Sequence, residues 1–315
     1  MKPSSFEPTT DISFLGADLS DIKKTNTKQI DWVNTLFLTL SPIAAVILSW
    51  MFFKASGFVV SQIVLAVIFY FATGLSITAG YHRMLSHRAY SSNNIVKFLL
   101  LVFGAAAFQN SALKWSADHR IHHRHVDGDK DPYNIKKGFF YAHIGWIFFK
   151  EKDASPQFPK DLMNDKLVMW QHNNYLAIAV VVGFIIPTII GYFLGSALGG
   201  FALAGIGRVV LVHHCTFFIN SLAHMVGTRP YTEENTARDS AIIALFSYGE
   251  GYHNYHHIFP TDYRNGIRWY HFDPTKWLIS TLALFGFAYD LKKVPEKLII
   301  QAKLETKNKK LANIA

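Results

Sequence analysis

Four stretches of this chain, residues 32–53, 57–79, 175–194 and 200–220, are long and apolar enough to cross a bilayer. A hydrocarbon core about 30 Å thick needs about 20 residues of helix, and each stretch supplies them. The first two are joined by a tight turn near KASG and the last two by a short GSALGG link, so each pair reads as an antiparallel hairpin. Composition agrees: of 315 residues half are hydrophobic, 15% are aromatic and only 17% are charged. These values suit a multi-spanning membrane protein better than a soluble enzyme.

Charge gives the sidedness. Between Gly80 and Asn174 lie 13 Lys/Arg, and from His224 onward 12 more, while the two hairpin links hold only Lys54. Two crossings separate the charged regions, which puts them on one side, and the positive-inside bias makes that side cytoplasmic together with both termini. The net charge of +9 is therefore a topology signal. With no clustered basic face, it is not a nucleic-acid one. A single cysteine, Cys215, excludes an internal disulfide framework, and the start lacks the basic-then-apolar pattern of a cleaved signal peptide.

The apolar segment Ile95–Leu113 tempts a fifth span. Crossing would split the histidines described below between two faces, and Lys97, Gln109 and Asn110 suit lipid poorly, so it is expected as an interfacial or re-entrant helix. The run Trp277–Tyr289 is too short to span and is expected at the interface or packed on the domain. The expected organisation is an all-α integral membrane protein with four transmembrane helices in two hairpins. A cytoplasmic segment (1–30) precedes one domain (31–302), whose helical cap (80–174 and 221–302) carries a histidine-rich dimetal site. A flexible polar tail (303–315) follows.

All fifteen histidines lie after Gly80. Three clusters stand out: His82 with His87 (HxxxxH), His119 with His122 and His123 (HxxHH), and His253 with His256 and His257 (HxxHH). A fourth feature, Asn220 and His224, closes the last span. At about 100° per residue, HxxHH places three rings on one helical face, and two such faces can close on a metal pair. HxxxxH spreads its rings by about 140°, which suits a helix end or ligands to two metals. One HxxHH is weak evidence; three boxes on one face of one membrane make a metal site. Imidazole suits Zn, Cu, Fe and Ni, and nine histidines exceed the needs of one four-coordinate ion, so two metals are implied. HExxH is absent, which excludes a zinc protease, and so are the Glu-x-x-His pairs of soluble di-iron bundles. A histidine-rich di-iron centre fits O2 chemistry. Zinc can replace iron in purified material, because it outranks Fe(II) in site affinity.

The stretches GLSITAGYHRMLSHRAY, AFQNSALKWSADHRIHHRHVD, DPYNIKKGFFYAHIGW, INSLAHMVGTRPY, GEGYHNYHHIFPTDYR and AYDLKKV carry a resemblance over residues 74–293. The chain resembles the membrane-bound fatty acid desaturases, specifically the acyl-CoA delta-9 (stearoyl-CoA) group. VLVHHCTFFINSLAH looks like the bacterial members. The resemblance implies a di-iron oxidoreductase that uses O2 and two external electrons to insert a cis double bond into a saturated acyl chain, releasing water. It implies nine ligands, His82, His87, His119, His122, His123, His224, His253, His256 and His257, with Asn220 acting through water. Trp115 and Thr216 match residues that shape the kink of the acyl tunnel, and Gln109 and Asn110 join them as substrate contacts. Tyr70 lies 12 residues before His82, deeper by about 18 Å of helix rise, where it would close the tunnel and limit chain length.

Asp118, Asp127 and Asp131 are candidates to orient imidazoles. His125, His143, His172, His213, His214 and His271 are not expected to be ligands; His213 and His214, inside the fourth span near Arg208, would hydrogen-bond near the site. The chain departs from animal members at Ala117, where they carry a basic residue, and at Lys150-Glu151, where they carry a basic pair for the CoA phosphates. Lys150 is the head-group candidate, with Lys136, Lys137 or Lys152 to compensate, and an acyl-lipid or acyl-carrier-protein substrate stays open. No HPGG haem motif is present. Electrons would come from a separate ferredoxin, cytochrome b5-like protein or flavin reductase, an acidic donor docking on the basic surface. The expected location is a bacterial inner membrane, or the endoplasmic reticulum in a eukaryote. The competing readings are an acyl or alkane hydroxylase and a metal-binding membrane transporter.

Overall fold

The computed structural model describes residues 28–151 and 158–313. The segment before residue 28, Lys152 and the last two residues lie outside it. Among the described residues four helices, Trp32–Ser56, Val60–Ser86, Tyr175–Phe193 and Ala197–His224, are long and apolar enough to cross a membrane. The second and fourth outrun the expected limits of 79 and 220. Their polar last turns are buried in the cap rather than ending in water, so the helices continue and carry His82 and His224.

Local chemistry sets the hairpins. Asp31 caps the first span by accepting from the Asn34 N–H, and Gly57 at φ 66° ends it in a conformation that favours glycine. In the second hairpin Gly195 takes the corresponding role at φ 98°. Gln62, buried in the second span, donates to the Gly191 carbonyl at 2.9 Å and reaches those of Leu194 and Ser196, tying the second span to the link between the third and fourth. Spans three and four touch at Gly191 and Gly200, where an added Cβ on Gly191 would sit 2.5 Å from the Gly200 Cα. Small residues here let the backbones approach.

The segment expected to be interfacial or re-entrant is built as two helices joined by a turn. The first, Asn94–Ala105, has only 12 residues, too few to cross. The chain turns through Phe108 and Asn110, both at positive φ, and returns as the helix Ala112–His125. The fourth span holds the turn in place. Arg208 donates to the carbonyls of Ala106, Gly183 and Ala204, and His213 reaches those of Ala107 and Phe108. His213 thus serves the turn rather than the metal centre. His214 instead pairs with His143 at 3.0 Å, and His143 with Ser221 at 3.0 Å.

Two small sheets close the cap. Lys28–Ile30 pairs antiparallel with Phe149–Glu151, so the chain entering the first span lies against the cap. Ser91–Ser92 pairs with Ala288–Tyr289, which follows the helix Pro274–Leu284. That helix buries Ile279 in the core and exposes Leu284 and Phe285 at its end. The tail corrects an expectation. Residues 303–312, expected as part of a flexible polar tail, form the second half of a helix, Glu296–Ala312. Its Glu, Lys, Leu and Ala content is strongly helix-forming. Ile299 and Thr306 are buried, and Lys310 donates to the Arg229 carbonyl, holding the helix to the loop before the third box.

Candidate metal centre

The second span changes its winding before it reaches the first box. Ser76–Ser86 is π-helical, and the His87 N–H donates to the His82 carbonyl at 3.1 Å. Bonding from i to i+5 brings residues five apart onto one face, so HxxxxH, too widely spread on an α-helix, delivers both rings to the same place. The helix Ala112–His125 presents the second box and the short helix His253–Ile258 the third. The latter is pinned from behind. Asn254 accepts from the Tyr231 and Thr232 N–H groups and donates to the Thr232 and Ala237 carbonyls, while Asp239 accepts from the Tyr255 N–H.

The nine imidazoles form two groups: His82, His87, His119, His123 and His256 in one, and His122, His224, His253 and His257 in the other. Each HxxHH box therefore serves both groups. Within the first, Nε2 atoms approach at 3.0 Å (His82–His256), 2.8 Å (His87–His119) and 3.0 Å (His123–His256). Within the second the separations are 3.3 Å (His122–His257), 3.2 Å (His224–His253) and 3.0 Å (His253–His257). Bare nitrogen lone pairs repel at such distances unless a cation sits between them. Metal–nitrogen bonds of about 2.0–2.1 Å place neighbouring donors about 3 Å apart, so the residues fit a metal in each group.

Behind the rings lies a shell of acceptors. The Nδ1 of His82 donates to Glu250 at 3.0 Å and that of His122 to Asp131 at 2.9 Å. His224 Nδ1 contacts the Thr236 hydroxyl at 2.8 Å, and that hydroxyl donates to Asp127 at 2.6 Å. His119 Nδ1 faces the Tyr133 hydroxyl at 3.3 Å. An acceptor on Nδ1 leaves Nε2 bare and aimed inward. Burial, followed by repulsion from neighbouring rings and other cations, pushes His87, His119, His123, His253, His256 and His257 well below the ordinary histidine range. They stay neutral, the form that binds metal.

Of the three aspartates considered for this shell, Asp127 and Asp131 are in it and Asp118 is not. One residue from His119, Asp118 is turned about 100° off the box's face. It sits 3.9 Å from Lys114, and burial raises its carboxyl. Sequence reasoning missed Glu250, Tyr133 and Thr236. The available signal was an acid three residues before His253 in the third box. Burial alone would raise the Glu250 carboxyl, but Arg83 and His82 outweigh it and hold it low. Arg83, itself fully buried, bridges Glu250 at 2.8 Å and Asp273 at 3.0 Å.

The other candidate residues divide by distance from the rings. Trp115 stacks on His119 at 5.0 Å and meets His82 edge-on. Gln109 donates to the Thr216 hydroxyl at 2.9 Å, tying the re-entrant turn to the fourth span. The Asn110 N–H donates to the Tyr175 hydroxyl. Asn220 ends its helix four residues before His224. Tyr70 contacts Cys215 at 3.3 Å and lines an apolar cavity of about 770 Å³ between the first, second and fourth spans. Lys150 is exposed on the cap strand opposite Gln29.

Asp239 gives a pH prediction. Burial raises its carboxyl from 3.8 to about 6. The protonated form is therefore favoured by folding, a contribution fully present below pH 3.8 and lost as pH rises through about 6. Asp239→Asn should match the parent protein in unfolding free energy near pH 4 and exceed it at pH 7 by an amount on the order of 1–3 kcal/mol. A difference independent of pH would contradict this assignment.

Four helices able to span a membrane, together with two histidine groups able to hold metal, define a narrow class. The family model for fatty acid desaturases matches residues 58–291, and the chain belongs to that family. It is 48% identical over 252 residues to a probable acyl-CoA desaturase of Schizosaccharomyces pombe, covering 79% of this chain and 53% of the relative. It is 40% identical over 293 residues to acyl-CoA desaturase 1 of Saccharomyces cerevisiae, covering 90% and 56%. Stearoyl-CoA desaturase 5 of Bos taurus is 35% identical over 286 residues, covering 89% and 84%. The chain spans about half the length of the two fungal relatives. These relatives are fungal and animal, and give no support to the bacterial affinity expected from VLVHHC. Membership implies metal use, and the two histidine groups can bind metal.

Proposed function

We propose that the chain is an O2-dependent di-iron acyl desaturase acting on a saturated fatty acyl chain, carried as acyl-CoA and desaturated at the delta-9 position. The convergence of nine imidazoles into two groups, in a chain of this family, carries the reading. The nine histidines would hold two irons, with Asn220 acting through water. An unactivated methylene has no acidic proton, so the iron pair would supply the oxidising power that side chains lack. The balance is one O2, two electrons, two protons and two hydrogens of the chain, giving a double bond and two waters.

The protein's own part is positioning. Trp115 over the imidazoles and the Gln109–Thr216 pair would bend the acyl chain so that two adjacent carbons face the metals, with Asn110 beside them. Lys150, helped by Lys136 and Lys137, would meet the CoA phosphates. The cap would face the cytoplasm, with the spans in the endoplasmic reticulum or a bacterial inner membrane. A separate redox protein would deliver the electrons. Three buried polar residues of the spans, Gln62, Arg208 and His213, bond to backbone carbonyls, which disfavours a transport path through them.

Incubating the purified, iron-loaded protein with stearoyl-CoA, O2 and a reductant, then analysing products by mass spectrometry, tests the reaction. A mono-unsaturated product is expected; a mainly hydroxylated one would overturn the desaturase assignment in favour of the hydroxylase. Tyr70 sets the length limit in this reading. Tyr70→Ala should shift preference toward longer chains, whereas Tyr70→Phe, which loses only the Cys215 contact, should not. An unchanged profile for Tyr70→Ala would remove Tyr70 from the tunnel.

A further inference from the structure

Trp269 is 87% exposed, the most exposed large apolar side chain among the described residues, and Tyr270 beside it is 64% exposed. Neither helps the core, and neither is explained by the metal sites. Both begin a path of rings that runs inward. Trp269 meets Tyr270 edge-on at 5.6 Å, and Tyr270 meets His271 edge-on at 5.1 Å. His271 then stacks on buried Tyr252 at 4.4 Å with planes only 10° apart. Tyr252 is covalently next to His253, whose Nε2 lies 3.2 Å from that of His224 and 3.0 Å from that of His257. The stack is built in. A Cβ on Gly266 would come within 2.7 Å of the His271 Cβ and 3.0 Å of the Tyr252 ring, so only glycine leaves room for it.

The surroundings are positive. Arg268 precedes the exposed pair and is itself exposed, and its N–H donates to His271 Nδ1. Lys303 lies over the Tyr231 ring at 5.2 Å. Among the described residues, neither Arg268 nor Lys303 is in an ion pair. Exposed Trp and Tyr with an unpaired Arg are the residue types that dominate binding energy at protein interfaces.

We propose that Trp269, Tyr270 and Arg268 form the docking surface for an acidic one-electron carrier protein, and that the rings of Trp269, Tyr270, His271 and Tyr252 lead from it to the metal group containing His253. This rests on the desaturase reading, which requires two electrons from outside. Each docking oxidises one carrier by one electron, which passes to the metal pair. Two dockings complete the supply for one turnover, and no bond is made or broken on the path.

The test uses the full-length, iron-loaded protein in lipid nanodiscs, without O2 or acyl substrate. Stopped-flow absorbance follows reduction of the metal centre by the faster of two acidic carriers, a [2Fe–2S] ferredoxin and the haem domain of a cytochrome b5, and separately by dithionite. Trp269→Ala should slow reduction by the carrier about 10-fold or more, the scale of a lost interface anchor, while Trp269→Phe recovers part of the rate. Arg268→Glu should slow it too and flatten its salt dependence. Reduction by dithionite and iron content should not change in any variant. An unchanged carrier rate in Trp269→Ala, an equal loss with dithionite, or a wild-type centre that dithionite reduces but neither carrier does would each overturn the proposal. A wild-type chain that takes up no iron, or whose reduced centre yields no unsaturated product, would sink the desaturase reading instead, and is scored separately.

Discussion

Replacing His256 by alanine is expected to abolish acyl oxidation and to strip metal from the five-histidine group. His256 has no substitute within that group. Its Nε2 lies 3.0 Å from both His82 and His123, so one ring joins the first box to the second. Losing a partner behind a ligand typically costs about 10–100-fold in affinity or activity, and losing the ligand itself should exceed that range. The fold should survive, because the helix His253–Ile258 is held by Asn254 and Asp239 rather than by His256. Iron content by plasma emission spectroscopy, read beside product formation, checks the result. Retained activity with two irons per chain would remove His256 from the ligand set.

The second large effect lies away from the metals. Arg208→Leu should destabilise the protein by about 2–4 kcal/mol, since each buried polar group left without a partner costs about 1–3 kcal/mol. Among the described residues no carboxylate pairs with Arg208; its guanidinium is spent on the carbonyls of Ala106, Gly183 and Ala204. Removing it relieves one buried charge but strands those oxygens in an apolar interior, and unpins the turn that leads into the second box. Gly183 lies in a π-helical stretch, Val181–Ile185, and another, Gly200–Gly207, immediately precedes Arg208. Irregular winding of this kind frees carbonyls that a lipid environment cannot satisfy. A fall in melting temperature of about 5–10 °C in detergent would match that cost. An unchanged melting curve would show that the turn holds without Arg208.

Much of this was legible in the residues. Apolar length gave the four spans, and charge distribution put the histidines on one face. The poor lipid compatibility of Lys97 and Gln109 pointed to a re-entrant segment. The HxxHH boxes were readable because they lie on α-helix, where spacing converts to angle. HxxxxH was not, because the conversion assumes 3.6 residues per turn and the chain there is π-helical. For the same reason the division into five and four ligands could not be drawn. Glu250 and Thr236 escaped because tertiary packing, not sequence spacing, brings Glu250 to His82 and sets Thr236 between His224 and Asp127. Asp118 shows the opposite error, a neighbour in sequence that points the wrong way. The last helix was hidden by its polarity, since what holds it is a set of pairings with the 229–234 loop.

The most direct measurement is the fatty-acid profile of a desaturase-deficient host expressing the chain, with His256→Ala alongside. Cells carrying the parent chain should contain mono-unsaturated acids with the double bond at the ninth carbon, and cells carrying the variant should contain none. Saturated acids alone in both, with the parent protein present in the membrane and loaded with iron, would contradict the desaturase reading.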